Sequence, residues 1–268
     1  MDISDVRRGL VPEINEAYLT LSDPAPIGEV GYLYEDLSLQ MEALGICYLL
    51  EDADQEGFRE RLVRAGHARR WFLRRSRIEG NADDYHLALT RQNGFLDALA
   101  AGHLPLAADI AAESNVAFNP QWEYEDDYAY QLFLMSLVAA GGPAPITEAQ
   151  RAVLDRFEVA LEGEVTPRLL ICNALAAKHA GAFVDSFHAL LEDDQRRVDE
   201  DRESDRVLEG DLCFWPTSYV FVEGLALLKA AELVGIPARG PFPRCPDLAR
   251  LGFTNHAYED YFEVIANS

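Results

Sequence analysis

From Tyr32 to Glu51 apolar side chains return at helical spacing (Leu33, Leu37, Leu39, Met41, Leu44, Cys47, Tyr48 and Leu50), the stripe of one long core helix. The same period predicts a second helix from Gln55 to Arg77, a third from Ala82 to Ala101 and a shorter fourth from His103 to Glu113, with Gly and Pro marking breaks. Further helices are predicted over Tyr124–Ala140, Thr147–Glu162, Pro167–Lys178, Ala182–Arg202 and Thr217–Val234. Thr147 and Gln150 stand in capping-box positions, and Thr166 caps a helix with Pro167 in its first turn. No period-two run with hairpin turns persists, so strands lack their main signal. The pattern describes an all-α protein, an array of antiparallel helical hairpins of about nine or ten helices. Residues 1–268 are expected to form a single domain, with residues 1–25 set aside as an irregular N-terminal arm.

The segment Thr217–Val234 is apolar nearly all round and is expected to be the central helix. Lys229 and Glu232 share one polar side of it. Glu223 projects nearly opposite them, so it is expected to be buried and bonded to an arginine such as Arg69 or to a tyrosine hydroxyl. The hexapeptides ending at His103 and His179, ALAAGH and ALAAKH, echo one another. Two related tight hairpins and chance in an Ala-rich chain both account for the echo.

Eight arginines crowd between Arg59 and Arg77 against one acid, Glu60. Seven surround the apolar stripe of their helix and Arg69 points into it, where a guanidinium needs buried carboxylates or carbonyls. Pairing with the acidic remainder of the chain accounts for the others; an anion or partner patch, with Trp71 stacking on Arg75, is the rival. At the start of the fifth helix stand Glu123, Glu125, Asp126 and Asp127, favoured there by the helix dipole. The aspartate-rich motif of helical prenyl-chain enzymes would need an Asp where Tyr130 stands. The run Asp199–Asp205 has Ser204 where a calcium loop requires Gly. The histidines form no ligand cluster, no Gly-x-Ser-x-Gly elbow or glycine-rich phosphate loop occurs, and the four cysteines are scattered. No metal, cofactor or catalytic residue is expected.

Composition adds one strong constraint. The chain carries 46 acids against 23 Lys plus Arg, a formal net charge of -23, which repels phosphates and argues against a nucleic-acid partner. All its basic residues except Lys178 and Lys229 are arginine, the form suited to forked pairing with carboxylates. The acidic start lacks a signal-peptide core, and the longest uncharged stretch, Tyr128–Thr147, is broken by Gly141-Gly142-Pro143. A cytosolic (cytoplasmic) protein without a membrane partner is expected.

The stretch WEYEDDYAYQLFLMSL (Trp122–Leu137), the helix end VEGLALLKAAELVGI (Val222–Ile236), the tail PFPRCPDLARL (Pro241–Leu251) and the turn LAAGHLPLAADIAAES (Leu99–Ser114) resemble immunity family forty-nine, all-helical immunity proteins of bacterial polymorphic toxin systems. The resemblance spans residues 80–255 and rests on amphipathic patterns. A second helical immunity group, directed against nuclease effectors, is similar in its aromatic helix and Pro-rich ending. The resemblance implies an antitoxin that binds and neutralises a cognate toxin protein, with no chemistry of its own. On that expectation the densest acids, Glu123, Glu125, Asp126 and Asp127 with Asp193, Asp194, Asp199 and Asp201, form the steering surface, and Trp122 or Trp215 anchors the partner. The rival classes are a helical-repeat scaffold for a cellular protein and an all-helical enzyme; a cleft with convergent polar residues would favour the enzyme.

Overall fold

The structure, a computed structural model, describes residues 2–22, 25–81, 84–91, 93–204, 207, 210–250, 258, 260 and 262. Ala82, where the third helix was expected to start, Asp205 at the end of the acidic run, Leu251 and His256 lie outside them. The described residues hold twelve α-helices and no strand: α1 (Ile3–Ser22), α2 (Ile27–Asp52), α3 (Gln55–Glu79), α4 (Asn93–Ala100), α5 (Leu104–Glu113), α6 (Glu125–Ala140), α7 (Glu148–Ala160), α8 (Pro167–Ala177), α9 (Ala180–Asp201), α10 (Phe214–Thr217), α11 (Val222–Val234) and α12 (Asp247–Arg250). The one β-type pairing among them is an isolated bridge between Phe242 and Cys245. None of these helices is long and apolar enough to cross a membrane.

Consecutive helices pack on each other across short turns, α2 on α3, α6 on α7 and α8 on α9, and α11 lies against α4 while also meeting α6 and α8. One contiguous core runs through all of them. Its largest side chains, among them Phe58, Phe72, Phe95, Phe133, Phe183 and Phe187, are fully buried and contribute roughly 1.5–3 kcal/mol each. Where α3 crosses α4 the backbones touch: a Cβ on Gly94 would meet the Ala65 carbonyl oxygen at 2.9 Å, and one on Gly66 would meet the Gly94 carbonyl oxygen at 3.1 Å. Glycine is what permits this approach.

Three expectations need correction. Within the stretch set aside as an irregular arm, Ile3–Ser22 form a regular helix. Val6, Leu10, Ile14, Ala17 and Leu21 recur at helical spacing and are buried on one face of α1, with Pro12 on its exposed side. The third helix starts only at Asn93. Before it, Asp84 accepts the His86 N–H to close a single 3₁₀ turn over Tyr85–Leu87, and Ala88 is extended. The cause is Arg69, which is 5% exposed and donates to the carbonyls of His86 and Ala88. A continuous helix would have used those acceptors internally. The central helix likewise begins at Val222 rather than Thr217. The Phe221 N–H turns to the Arg244 carbonyl (2.8 Å), and the Arg244 guanidinium holds the Thr217 carbonyl (2.7 Å), so the chain breaks between α10 and α11.

The two echoing hexapeptides share one local structure. Gly102 (φ 73°) and Lys178 (φ 53°) end their helices in the left-handed region. The N–H of His103 reaches the Ala98 carbonyl and that of His179 the Ala174 carbonyl, both at 2.9 Å, the outer bond of a Schellman motif. Each histidine then caps the next helix, its Nδ1 accepting from Leu106 N–H and Ala182 N–H respectively.

Candidate functional site: an acidic cleft between α6, α8, α9 and α11

Helix α6 opens with Glu125, Asp126 and Asp127 in its first turn, and α8 opens on the Thr166 cap with Pro167 and then Arg168. Both N-termini point their first turns toward Glu223 in the first turn of α11. Arg168 joins the three helices. Its Nε donates to Glu223 Oε1 (2.9 Å), Nη2 to Glu223 Oε2 (2.8 Å) and Nη1 to Asp127 Oδ1 (3.0 Å). The Tyr130 hydroxyl donates to Glu223 Oε1 at 2.8 Å, and its ring centroid lies 4.9 Å from the guanidinium carbon. Glu223 is therefore fully engaged, its side chain 12% exposed. Its arginine is Arg168, not Arg69, which lies at the α3–α4 crossing with carbonyls for partners.

Charge and burial act together here. Burial opposes the Arg168 charge, but Glu223, Tyr130 and Asp127 outweigh it and raise the guanidinium above its ordinary value. Burial, then Glu223, pushes the Tyr130 phenol well up. Asp127 is raised by burial, with Asp126 and Glu223 adding repulsion against the opposing pull of Arg168. Around this knot lies a cavity of about 290 Å³, walled by Asp126, Asp127, Asp193, Asp194, Arg197 and the Arg168–Glu223 pair over Phe157, Leu190 and Phe221. Five acids face two arginines, so the cleft is negative. Its volume sits at the lower limit of small-molecule sites and suits an inserted side chain or a small cation.

Two acidic clusters far apart in the sequence thus converge. Asp126 has no ion-pair partner among the described residues, and Asp193, its side chain 46% exposed, pairs with Arg196. Other candidates are placed elsewhere. Glu123 is no rim charge: it is 8% exposed, and its carboxylate accepts the N–H groups of Thr90 and Asn119, stapling the loop before α6 to the segment after the 3₁₀ turn. Asp194 walls the cleft but is itself interior, held between Arg197 and Arg244. Glu125 turns to Arg156 of α7 (2.7 Å), and Asp199 pairs with Arg202; neither Asp199 nor Asp201 lines the cleft. The two tryptophans offered as anchors are half-buried. Trp122 packs edge-on against Tyr85, and Trp215 packs on Phe214 in a small core with Val198 and Val207.

The arginines of α3 are used inside the fold: Arg61 and Arg64 on Glu60, Arg70 and Arg74 on Glu113, and Arg75 on Glu79. Trp71 packs on Phe262 rather than on Arg75. Cys47, Cys172 and Cys245 are buried thiols whose ionisation burial pushes up, and among the described residues no group of His, Cys, Asp and Glu could hold a metal ion. Arg168 and Tyr130 were not singled out in the sequence. Arg168 follows a helix-start proline and looks like any exposed first-turn residue. Tyr130 carries no signature beyond standing where an aspartate-rich motif would need an Asp.

Fold and cleft together define an all-α protein built of helical hairpins with one negatively charged cleft. No family model, no curated protein and no solved structure matches the chain.

Proposed function

We propose that the protein is a cytosolic immunity protein, an antitoxin that binds a cognate bacterial toxin domain and neutralises it by occupying its surface. One observation supports this most: acids from α6 and α9 meet in a single cleft, so the net charge of -23 has a focus as well as a total. Toxins that act on nucleic acids or other polyanions carry basic clefts, and complementary potential raises association rate and selectivity. The amphipathic resemblance to immunity proteins points the same way. Asp126 and Asp193 are the steering charges in this account, and the exposed Tyr124, 80% accessible and two residues before Asp126 in the chain, replaces the tryptophans as an aromatic contact.

Co-expression with the product of the adjacent gene tests it. That product should arrest growth alone, and this chain should restore growth and co-purify with it. The double reversal Asp126→Lys/Asp193→Lys should slow association several-fold at low salt and flatten its salt dependence, with dissociation changing less. A neighbouring product that is harmless and does not bind overturns the proposal. The same cleft favours a second reading, an all-helical enzyme, because charged groups converge there. Turnover of a small cationic substrate by the purified chain, abolished in Arg168→Met, would establish the enzyme instead.

A further inference from the structure

Beyond α12 three described residues, Tyr258, Asp260 and Phe262, are laid along α3 in chain order. The Tyr258 hydroxyl donates to Glu56 Oε1 (2.7 Å), Asp260 Oδ2 stands 3.0 Å from His67 Nδ1 and 4.0 Å from Arg70 Nη1, and the Phe262 ring lies 6.0 Å from that of Trp71. Asp260 Oδ1 accepts the Phe262 N–H (3.0 Å), a helix-cap contact with Phe262 already helical. Phe262 is 6% exposed because α1 and α2 supply the rest of its seat: the rings of Tyr18 and Tyr34 stand 5.5 and 5.7 Å away. Without this segment an aromatic socket flanked by His67 and Arg70 lies open between α1, α2 and α3.

The segment satisfies the socket only in part. His67 is 7% exposed, yet neither ring nitrogen makes a well-formed hydrogen bond: Nδ1 faces Asp260 without the alignment of one, and Nε2 has no partner among the described residues. Trp71 Nε1 and Arg70 Nε are likewise buried without a hydrogen bond. Nothing on α5 fills the gap. His103 stands edge-on to the His67 ring at 6.5 Å and uses its own Nδ1 to cap α5, and Asp109 pairs with Arg70 Nη2. A buried N–H without an acceptor costs free energy that a better-fitting ligand recovers.

We propose that this socket is a peptide-docking site held by its own chain as a pseudo-ligand, and that its working occupant is a helix start of a partner protein in which an Asp cap precedes an aromatic residue by two positions. The chain's own segment displays the pattern that fits: the carboxylate turns to His67 and Arg70, and the ring enters between Tyr18, Tyr34 and Trp71. The unsatisfied groups argue against a second copy of this chain, whose segment would leave the same three side chains open. A tethered segment competes at an effective concentration in the millimolar range, so an outside segment docks where it fits better or where the tethered one is weakened. The socket shares no residue with the acidic cleft, and it stands whether or not that cleft binds a toxin.

The probe is a peptide of residues 258–268, YEDYFEVIANS, with fluorescein at its C-terminus, titrated into the full chain and read by anisotropy. Wild type should bind it weakly, and the full-chain variants Phe262→Ala and Asp260→Asn should each bind about tenfold more tightly, because the tethered competitor is weakened. The indole N–H resonance of Trp71 should shift on binding while those of Trp122 and Trp215 stay. Equal affinity of wild type and variants, or a response at the other two indoles instead, overturns the socket; Asp260→Asn leaves the buried ring in place, so the test stands even if Phe262→Ala does not fold. Peptides that keep the Asp and the aromatic residue but vary the positions around them should include some that bind wild type about tenfold more tightly than the native sequence, by reaching one of the open N–H groups. A native sequence that no variant surpasses makes the segment plain packing. Dimerisation of wild type with rising concentration, abolished by Phe262→Ala, assigns the socket to a second copy. Either result overturns the partner.

Discussion

Replacing Glu223 with Ala removes both acceptors of the Arg168 fork and the acceptor of the Tyr130 hydroxyl in one step. Deleting one partner of a buried ion pair costs about 3–5 kcal/mol because the other charge is stranded. Two features of the cleft lower that figure. The Arg168 side chain is 30% exposed and keeps Asp127 at 3.0 Å, so water and a second carboxylate can take up part of the loss. Tyr130 is 1% exposed, and leaving its hydroxyl unsatisfied adds about 1 kcal/mol. A net loss of about 3 kcal/mol follows, which for a chain of this size lowers Tm by about 6–12 °C. Scanning calorimetry at pH 7, with urea titration as a second measure, reads it directly. Tyr130→Phe alone should cost about 1 kcal/mol. Arg168→Met added to Glu223→Ala should recover part of the loss, since removing both charges leaves none stranded. A Tm within 2 °C of wild type for Glu223→Ala, or a double variant worse than the sum of its parts, would refute the account of Arg168, Glu223 and Tyr130 as one unit.

Three further outcomes are expected. Gly94→Ala should destabilise by about 2 kcal/mol despite the roughly 1 kcal/mol that Ala gains in a helix, because its Cβ would stand 2.6 Å from the Cβ of Arg69 and 2.9 Å from the Ala65 carbonyl oxygen; an unchanged urea midpoint would show that α3 and α4 can separate freely. His103 has its ionisation lowered by burial, and its neutral Nδ1 caps α5, so its contribution is present above the unfolded value and lost as pH falls. Stability should drop between about pH 7 and pH 5 and His103→Asn, which keeps the cap, should flatten that slope in pH-dependent urea melts. Asp97 is raised, the opposite sign: stability is present below the unfolded carboxylate value and lost as pH rises. Asp97→Asn should therefore exceed wild type in Tm at pH 8 and lose that advantage below about pH 4, and a variant less stable at pH 8 would contradict it.

The legible parts of the site were those with a local signature. Acids at a helix start follow from the dipole, and Glu223 stood out as a charge among apolar neighbours. The same signal is present in FLDAL around Asp97, and read the same way it points to one more interior acid, 0% exposed. What had no local signature was partnership. Arg69 and Arg168 are equally plausible mates for Glu223 along the chain, and only the placement of α8 beside α11 selects Arg168. Glu123 and Asp126 stand three residues apart in one acidic run, yet one is an interior staple and the other lines the cleft.

By itself the amino-acid sequence determined the helical class, most helix ends and the hairpin turns, because these rest on interactions within a few residues: the 3.6-residue return of apolar side chains, the Thr147 and Thr166 caps, and the left-handed turns before His103 and His179. Tertiary structure decided where helices break against their own propensity and which charges meet. Arg69 drew two carbonyls out of an expected helix, Arg244 drew the Thr217 carbonyl and the Phe221 N–H out of the central one, and the acids of α6 and α9 became one cleft only when α8 and α11 were packed between them. A buried guanidinium must be satisfied wherever the fold places it, and that demand, set by residues distant in the chain, overrides the modest preference of any one segment for a helix.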